Sequence, residues 1–127
     1  MTDSFTVKIR SCGLKHGEAD PAEMVIDVRE LANPYWVEEL RPYDGLNDQV
    51  RDYVLAAEGA EQLIEKTLTA IEWTKKELQS RGATEMKVVF TCTGGRHRSV
   101  AVSEEIGRRL NAAGVRAVVS HRDRTLL

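Results

Sequence analysis

The chain has 127 residues, room for one compact domain spanning 1–127. With 42% hydrophobic and 30% charged residues it has a globular composition, and its net charge of −2 excludes the overall basic character of a general nucleic-acid binder. No apolar run approaches the roughly 20 residues of a membrane span, and the polar N-terminus does not read as a signal peptide.

Residues 5–12 alternate apolar and polar with period two and predict a first strand. Residues 13–21 form a loop that holds Lys15, His16 and Gly17, and residues 24–28 form a second strand. Residues 29–47 then read as one long loop. It contains an Asn33-Pro34 turn followed by Tyr35 and Trp36, and a second turn at Arg41-Pro42-Tyr43-Asp44-Gly45. A long aromatic loop in a small domain points to function rather than disorder. Asn47 is placed to cap a short helix through Val50 and Val54. A longer helix over 59–81 carries a stripe of Ala60, Leu63, Ile64, Thr67, Leu68, Ile71 and Leu78, and Gly82 stops it.

Residues 86–91 predict the third strand, and a helix over 99–113 follows, with Val102, Ile106 and Leu110 on one face and Gly114 as its stop. Residues 115–120 predict a fourth strand, followed by His121-Arg122-Asp123-Arg124. The order gives an α/β fold: a small mixed sheet of about four strands with helices packed on it. Strand three, its helix and strand four make a right-handed crossover, so those two strands run parallel.

The segment between strand three and its helix organises the rest: Cys92-Thr93-Gly94-Gly95-Arg96-His97-Arg98-Ser99. A strand that enters a helix through a glycine-rich turn presents free backbone N–H groups at the positive end of the helix dipole, which suits phosphate. Arg96 and Arg98 add charge, and an arginine can grip phosphate with two parallel hydrogen bonds. A structural turn with solvated arginines gives the same pattern. In open α/β sheets ligands sit at the C-terminal ends of parallel strands, where this loop lies.

His16, His97 and His121 each fall near a predicted strand end, and none has the spacing of a metal-ligand pair. Phosphate contact or surface exposure is the expectation for them, with no metal and no cofactor. Cys12 and Cys92 are far apart and read as reduced thiols of a cytoplasmic protein. Cys92 also fits the spacing Cys-x-x-Gly-x-x-Arg-Ser, which resembles the phosphate loop of cysteine-dependent phosphatases. That chemistry needs a thiolate at a helix N-terminus. The catalytic alternative therefore assigns Cys92 and Arg98, with Asp44 or Asp27 as general acid. Thr91 stands where those enzymes commonly carry His, and Cys92 equally reads as a small hydrophobe closing a strand.

Several motifs together resemble the C-terminal domain of the RapZ family of bacterial RNase adapter proteins. They are Ser11-Cys12-Gly13-Leu14-Lys15-His16-Gly17, Asp27-Val28-Arg29 through Asn33-Pro34-Tyr35-Trp36, Leu40-Arg41-Pro42-Tyr43-Asp44-Gly45-Leu46, Cys92 to Val100, and Ser120-His121-Arg122. The resemblance implies an α/β binding domain rather than an enzyme. It implies an amino-sugar phosphate ligand, glucosamine-6-phosphate, a small regulatory RNA, an endoribonuclease partner and a homo-oligomer. Thr93, Gly94 and Arg98 match the loop that contacts the phosphosugar, and the turn at Asn33 and Tyr35 forms another wall. The expected ligand-binding set is Thr93, Gly94, Gly95, Arg96, His97, Arg98, Ser99, Asn33, Tyr35, His16 and His121.

The chain departs from the full-length pattern in having no Gly-x-x-x-x-Gly-Lys-Ser/Thr motif for ATP. Its start, Met1-Thr2-Asp3-Ser4, reads as that of a stand-alone domain. Family members often carry a Lys/Arg-rich tail where this chain has Thr125-Leu126-Leu127. RNA affinity is largely counterion release by basic side chains. RNA binding here therefore requires Arg96, Arg116, Arg122 and Arg124 to share a face with Lys8 or Lys15.

Overall fold

A computed structural model of the chain describes residues 4–126. Four strands and three α-helices follow in the order β1 (Thr6–Gly13), β2 (Met24–Asp27), α1 (Asp48–Leu55), α2 (Ala60–Ser80), β3 (Glu85–Cys92), α3 (Arg98–Ala112) and β4 (Arg116–His121). Short 3-10 turns follow β1 at Leu14–His16 and β2 at Pro34–Trp36.

The strands lie in the order β2-β3-β1-β4. All three pairings are parallel, so the sheet is wholly parallel rather than mixed. Among the described residues no strand is followed by a hairpin, and each connection is long enough to return the chain to the same end of the sheet before the next strand begins. β3 and β4 run parallel as the sequence predicts, but they are not neighbours: β1 lies between them, paired with both. All four strands consequently deliver their C-terminal ends, Gly13, Asp27, Cys92 and His121, to one edge.

The period-two pattern sends Val7, Ile9, Met86, Val88 and Phe90 to one face, where they are fully buried, while Lys8, Lys87 and Val118 on the opposite face are exposed. The buried face meets Val50 and Val54 of α1, Ile64 and Ile71 of α2, and Val102, Ile106 and Leu110 of α3 in a single cluster. Each large apolar side chain buried there stabilises the fold by about 1.5–3 kcal/mol before the loss of chain entropy is counted. Leu63, Leu68 and Leu78 of the predicted α2 stripe are partly buried against the same cluster. α1 begins where Asn47 caps it, its Oδ1 accepting from the N–H groups of Gln49 at 2.9 Å and Val50 at 3.1 Å. α3 is buried all round over its first turns, from Arg98 through Ser103. Its start is thereby fixed against the sheet edge. No helix among the described residues is long and apolar enough to cross a membrane.

Candidate functional site

The loop after β3 is held by backbone rather than side chains. Gly95 takes φ +72°, a left-handed conformation, and a Cβ there would stand 2.5 Å from the Gly13 nitrogen. The 93–95 turn therefore lies backbone to backbone on the end of β1, and the Lys15 N–H donates to the Thr93 carbonyl at 3.0 Å. Asp123, buried after β4, accepts the Gly13 N–H at 2.7 Å from the other side. Gly45 makes the corresponding close approach for the 29–47 loop. Its N–H donates to the Arg96 carbonyl at 2.7 Å, and a Cβ there would meet the His97 carbonyl oxygen at 2.6 Å.

A cavity of ≈ 890 Å³ opens between these loops. The β3–α3 turn forms one wall with Cys92, Thr93, Gly94, Arg96, His97 and Arg98, Lys15 forms another, and Asn33, Tyr35, Trp36, Glu38, Arg41 and Pro42 face them. Among the described residues no side chain caps the N-terminus of α3, which leaves its first N–H groups able to bind an anion. Four cations, Lys15, Arg41, Arg96 and Arg98, line the cavity against one carboxylate, Glu38. Arg98 is 6% exposed, and its Nη1 donates to the carbonyls of Arg29 at 2.5 Å and Leu31 at 3.3 Å. It thus clamps the loop after β2 while placing positive charge beneath the cavity.

The facing wall is pre-formed. Asn33 Oδ1 accepts the Tyr35 N–H at 3.0 Å and Pro34 is buried at the turn. The Arg41 guanidinium stands 4.8 Å over the Tyr35 ring, and its Nε donates to the Tyr35 carbonyl at 2.8 Å. Tyr35 and Trp36 meet edge to face at 5.3 Å, and Trp36 remains 76% exposed.

Of the expected ligand set, Thr93, Gly94, Arg96, His97, Arg98, Asn33 and Tyr35 line this cavity, whereas Gly95, Ser99, His16 and His121 do not. Gly95 is spent on the contact with Gly13. Ser99 is fully buried behind the loop, with its Oγ 3.1 Å from Cys92 Sγ. His16 sits in the 3-10 turn after β1. His121 is held elsewhere, between Ser11 Oγ at 2.7 Å and Glu104 Oε2 at 2.6 Å.

His97 is 7% exposed. Burial pushes its pKa below the ordinary value, while hydrogen bonds with the Tyr43 and Arg41 backbone oppose that shift. Its Nε2 has no partner among the described residues. Asp44 does not line the cavity: it accepts from Arg124 at 2.9 Å and from the Leu46 N–H at 2.9 Å. Asp27 is likewise turned to Arg29, whose guanidinium holds its carboxyl below the usual range.

Lys15, Trp36, Glu38, Arg41 and Pro42 complete the lining beyond that set. Trp36 and Arg41 carry a signal in the aromatic loop itself, and Lys15 in its place beside His16. Glu38 carries none, because a glutamate in an acidic stretch reads as solvated surface.

Two comparisons bear on identity. The family model described as the RapZ C-terminal domain matches residues 5–125. Among curated relatives, a nucleotide-binding protein of Streptomyces coelicolor is 43% identical over 115 residues, covering 91% of this chain and 38% of that protein. One from Lysinibacillus sphaericus is 44% identical over 119 residues, 94% of this chain and 40% of that protein. One from Corynebacterium aurimucosum is 46% identical over 118 residues, with 92% and 40% covered. The chain spans about two-fifths of the length of these relatives. Its matched residues run from the start of the sheet through the site to the end of β4, and on that ground the chain belongs to the RapZ C-terminal domain family.

Proposed function

We propose that this chain is a binding domain for a small phosphorylated metabolite, an amino-sugar phosphate of the glucosamine-6-phosphate kind, and that occupancy of the cavity is its regulatory signal. The observation that carries this reading is the cation-lined cavity at the uncapped start of α3. The 93–98 turn takes the phosphate through backbone N–H groups and Arg98. Tyr35 and Trp36 offer aromatic surface to a sugar ring, and Glu38 offers a carboxylate to an ammonium group. A small RNA is the second ligand class that the family resemblance implies, and it draws less support. Arg96 lines the cavity, and Arg116 stands with Lys8 on the open face of the sheet. Arg122 and Arg124 are engaged by Asp20, Asp123 and Asp44.

A thermal-shift titration tests the reading, with glucosamine-6-phosphate against glucosamine, inorganic phosphate and ATP. A ligand that binds only the folded chain at a hundredfold excess over Kd stabilises it by about 2.7 kcal/mol, which is readily seen. The phosphosugar is expected to shift the melting temperature more than either half does, and Arg98→Ala is expected to abolish that response. Equal shifts with phosphate and phosphosugar would leave only an anion loop. No shift with the phosphosugar would overturn the proposal.

A further inference from the structure

Wholly parallel sheets are ordinarily buried on both faces, because their crossover helices cover each one. In this chain α1, α2 and α3 all pack on one face. No helix among the described residues covers the other, where Lys8, Lys87, Arg116, Val25 and Val118 are exposed. Lys8 of β1 stands directly opposite Lys87 of β3 on one side and Val118 of β4 on the other. Asp20 and Pro21, from the connection after β1, join these strands in lining a groove of ≈ 570 Å³. The groove shares no lining residue with the ligand cavity.

Positive charge in this groove is only partly matched. Like charges directly opposite on neighbouring strands are destabilising, and Lys8 and Lys87 are such a pair. Glu85 takes Lys8 at 3.1 Å, and Asp20 takes Arg10 at 2.8 Å. The Glu23 carboxylate accepts the backbone N–H of Lys87. The side chains of Lys87 and Arg116 have no carboxylate partner among the described residues. Two large apolar side chains share the face: Val25 and Val118 are each 51% exposed, on the two outer strands, β2 and β4.

We propose that this open face docks an acidic amphipathic helix of a partner protein. The apolar stripe of that helix lies on Val25 and Val118, and its flanking carboxylates meet Lys8, Lys87 and Arg116. A helix is the element that covers parallel sheets, since it satisfies its own backbone hydrogen bonds and needs only an apolar stripe for the contact. Three strand spacings of about 4.8 Å separate β2 from β4, so about ten helical residues span the distance. Charge complementarity selects an acidic helix, because carboxylates would relieve the Lys8–Lys87 repulsion and pair Arg116. The two valines separate this occupant from a nucleic-acid backbone, to which they offer nothing.

The test measures binding of the full chain to a labelled synthetic helical peptide of about 14 residues, with a leucine stripe flanked by glutamates. Its counterpart carries lysine in place of every glutamate. The wild type is expected to bind the glutamate peptide, more weakly as salt rises. The double variant Lys87→Glu/Arg116→Glu is expected to bind it roughly tenfold more weakly or worse, and to bind the lysine peptide instead. Both positions are exposed, and a melting temperature verifies that the variant folds. Val118→Ser is expected to weaken the glutamate peptide as well. No binding to the wild type at low salt would overturn the proposal, as would equal binding by the folded double variant. Unchanged binding in Val118→Ser would show that charge alone holds the peptide, and the helix would fall. A structured RNA and sedimentation equilibrium complete the test. If the double variant loses RNA affinity and the peptide never binds, the face belongs to nucleic acid. If the wild type self-associates, the variant does not and the peptide never binds, the face belongs to a second copy. Either result would overturn the proposal.

Discussion

At the scale of single residues, charge is placed with its partners. Glu105, nearly buried on α3, accepts from Arg108 at 2.9 and 2.6 Å and from Arg109 at 2.7 Å. Arg108, with Arg109 behind it, holds the Glu105 carboxyl down from 4.5 to about 2. A carboxyl with a depressed native pKa contributes stability that is fully present above its unfolded value and is lost as pH falls through the folded one. Urea unfolding midpoints are therefore expected to drop between pH 4.5 and about 2. Glu105→Gln is expected to flatten that drop and to cost on the order of 2 kcal/mol at neutral pH. An equal acid slope in the variant would show that the pairs contribute nothing net. His97 acts in the same direction at higher pH, because its buried ring resists protonation while the unfolded chain accepts it near 6.5, so stability also falls as pH drops below that value.

At the scale of elements, the site depends on turns that only glycine can make. Gly95→Ala puts a side chain at φ +72° and a Cβ 2.5 Å from the Gly13 nitrogen. The expected cost is about 1–3 kcal/mol, together with weaker phosphate binding, because the 93–95 turn must lift off β1. Chemical denaturation and the thermal-shift titration measure the two effects separately. An unchanged phosphate response would mean that the turn does not form the anion site. Much at this scale was legible in the sequence. The Asn47 cap, the α2 stripe and the alternation of β1 are local patterns, and local patterns follow from backbone geometry. The internal spacing of Cys92, Arg98 and Ser99 was legible too, because one turn and the start of one helix fix it. Trp36 and Arg41 were readable as part of a loop, but their contacts with Tyr35 were not, since the loop's path depends on what it lies against.

At the scale of the whole molecule, Arg122 joins the ends of β4 and β1. Its guanidinium donates to the carbonyls of Glu18, Gly17 and Gly13 and to the carboxylates of Asp20 and Asp123. Arg122→Ala leaves Asp123, 4% exposed, without its cation. That is expected to cost on the order of 3 kcal/mol and, through Gly13 and Lys15, to weaken the phosphosugar response. A loss of stability with full ligand response would confine Arg122 to folding.

The sequence by itself determined the elements, the α/β class and the glycine-rich turn at 92–99 between strand and helix, because periodicity, caps and spacings within about ten residues are set by backbone geometry. Only the tertiary structure decided that β1 lies between β3 and β4, that the sheet is wholly parallel, and that Lys15 and the 33–42 loop meet across one cavity. It also turned His121 away from that cavity to Ser11 and Glu104, and committed Arg122 to the frame. These are contacts between residues up to 110 positions apart. They are chosen by which apolar faces can be buried together, and no local pattern carries that choice.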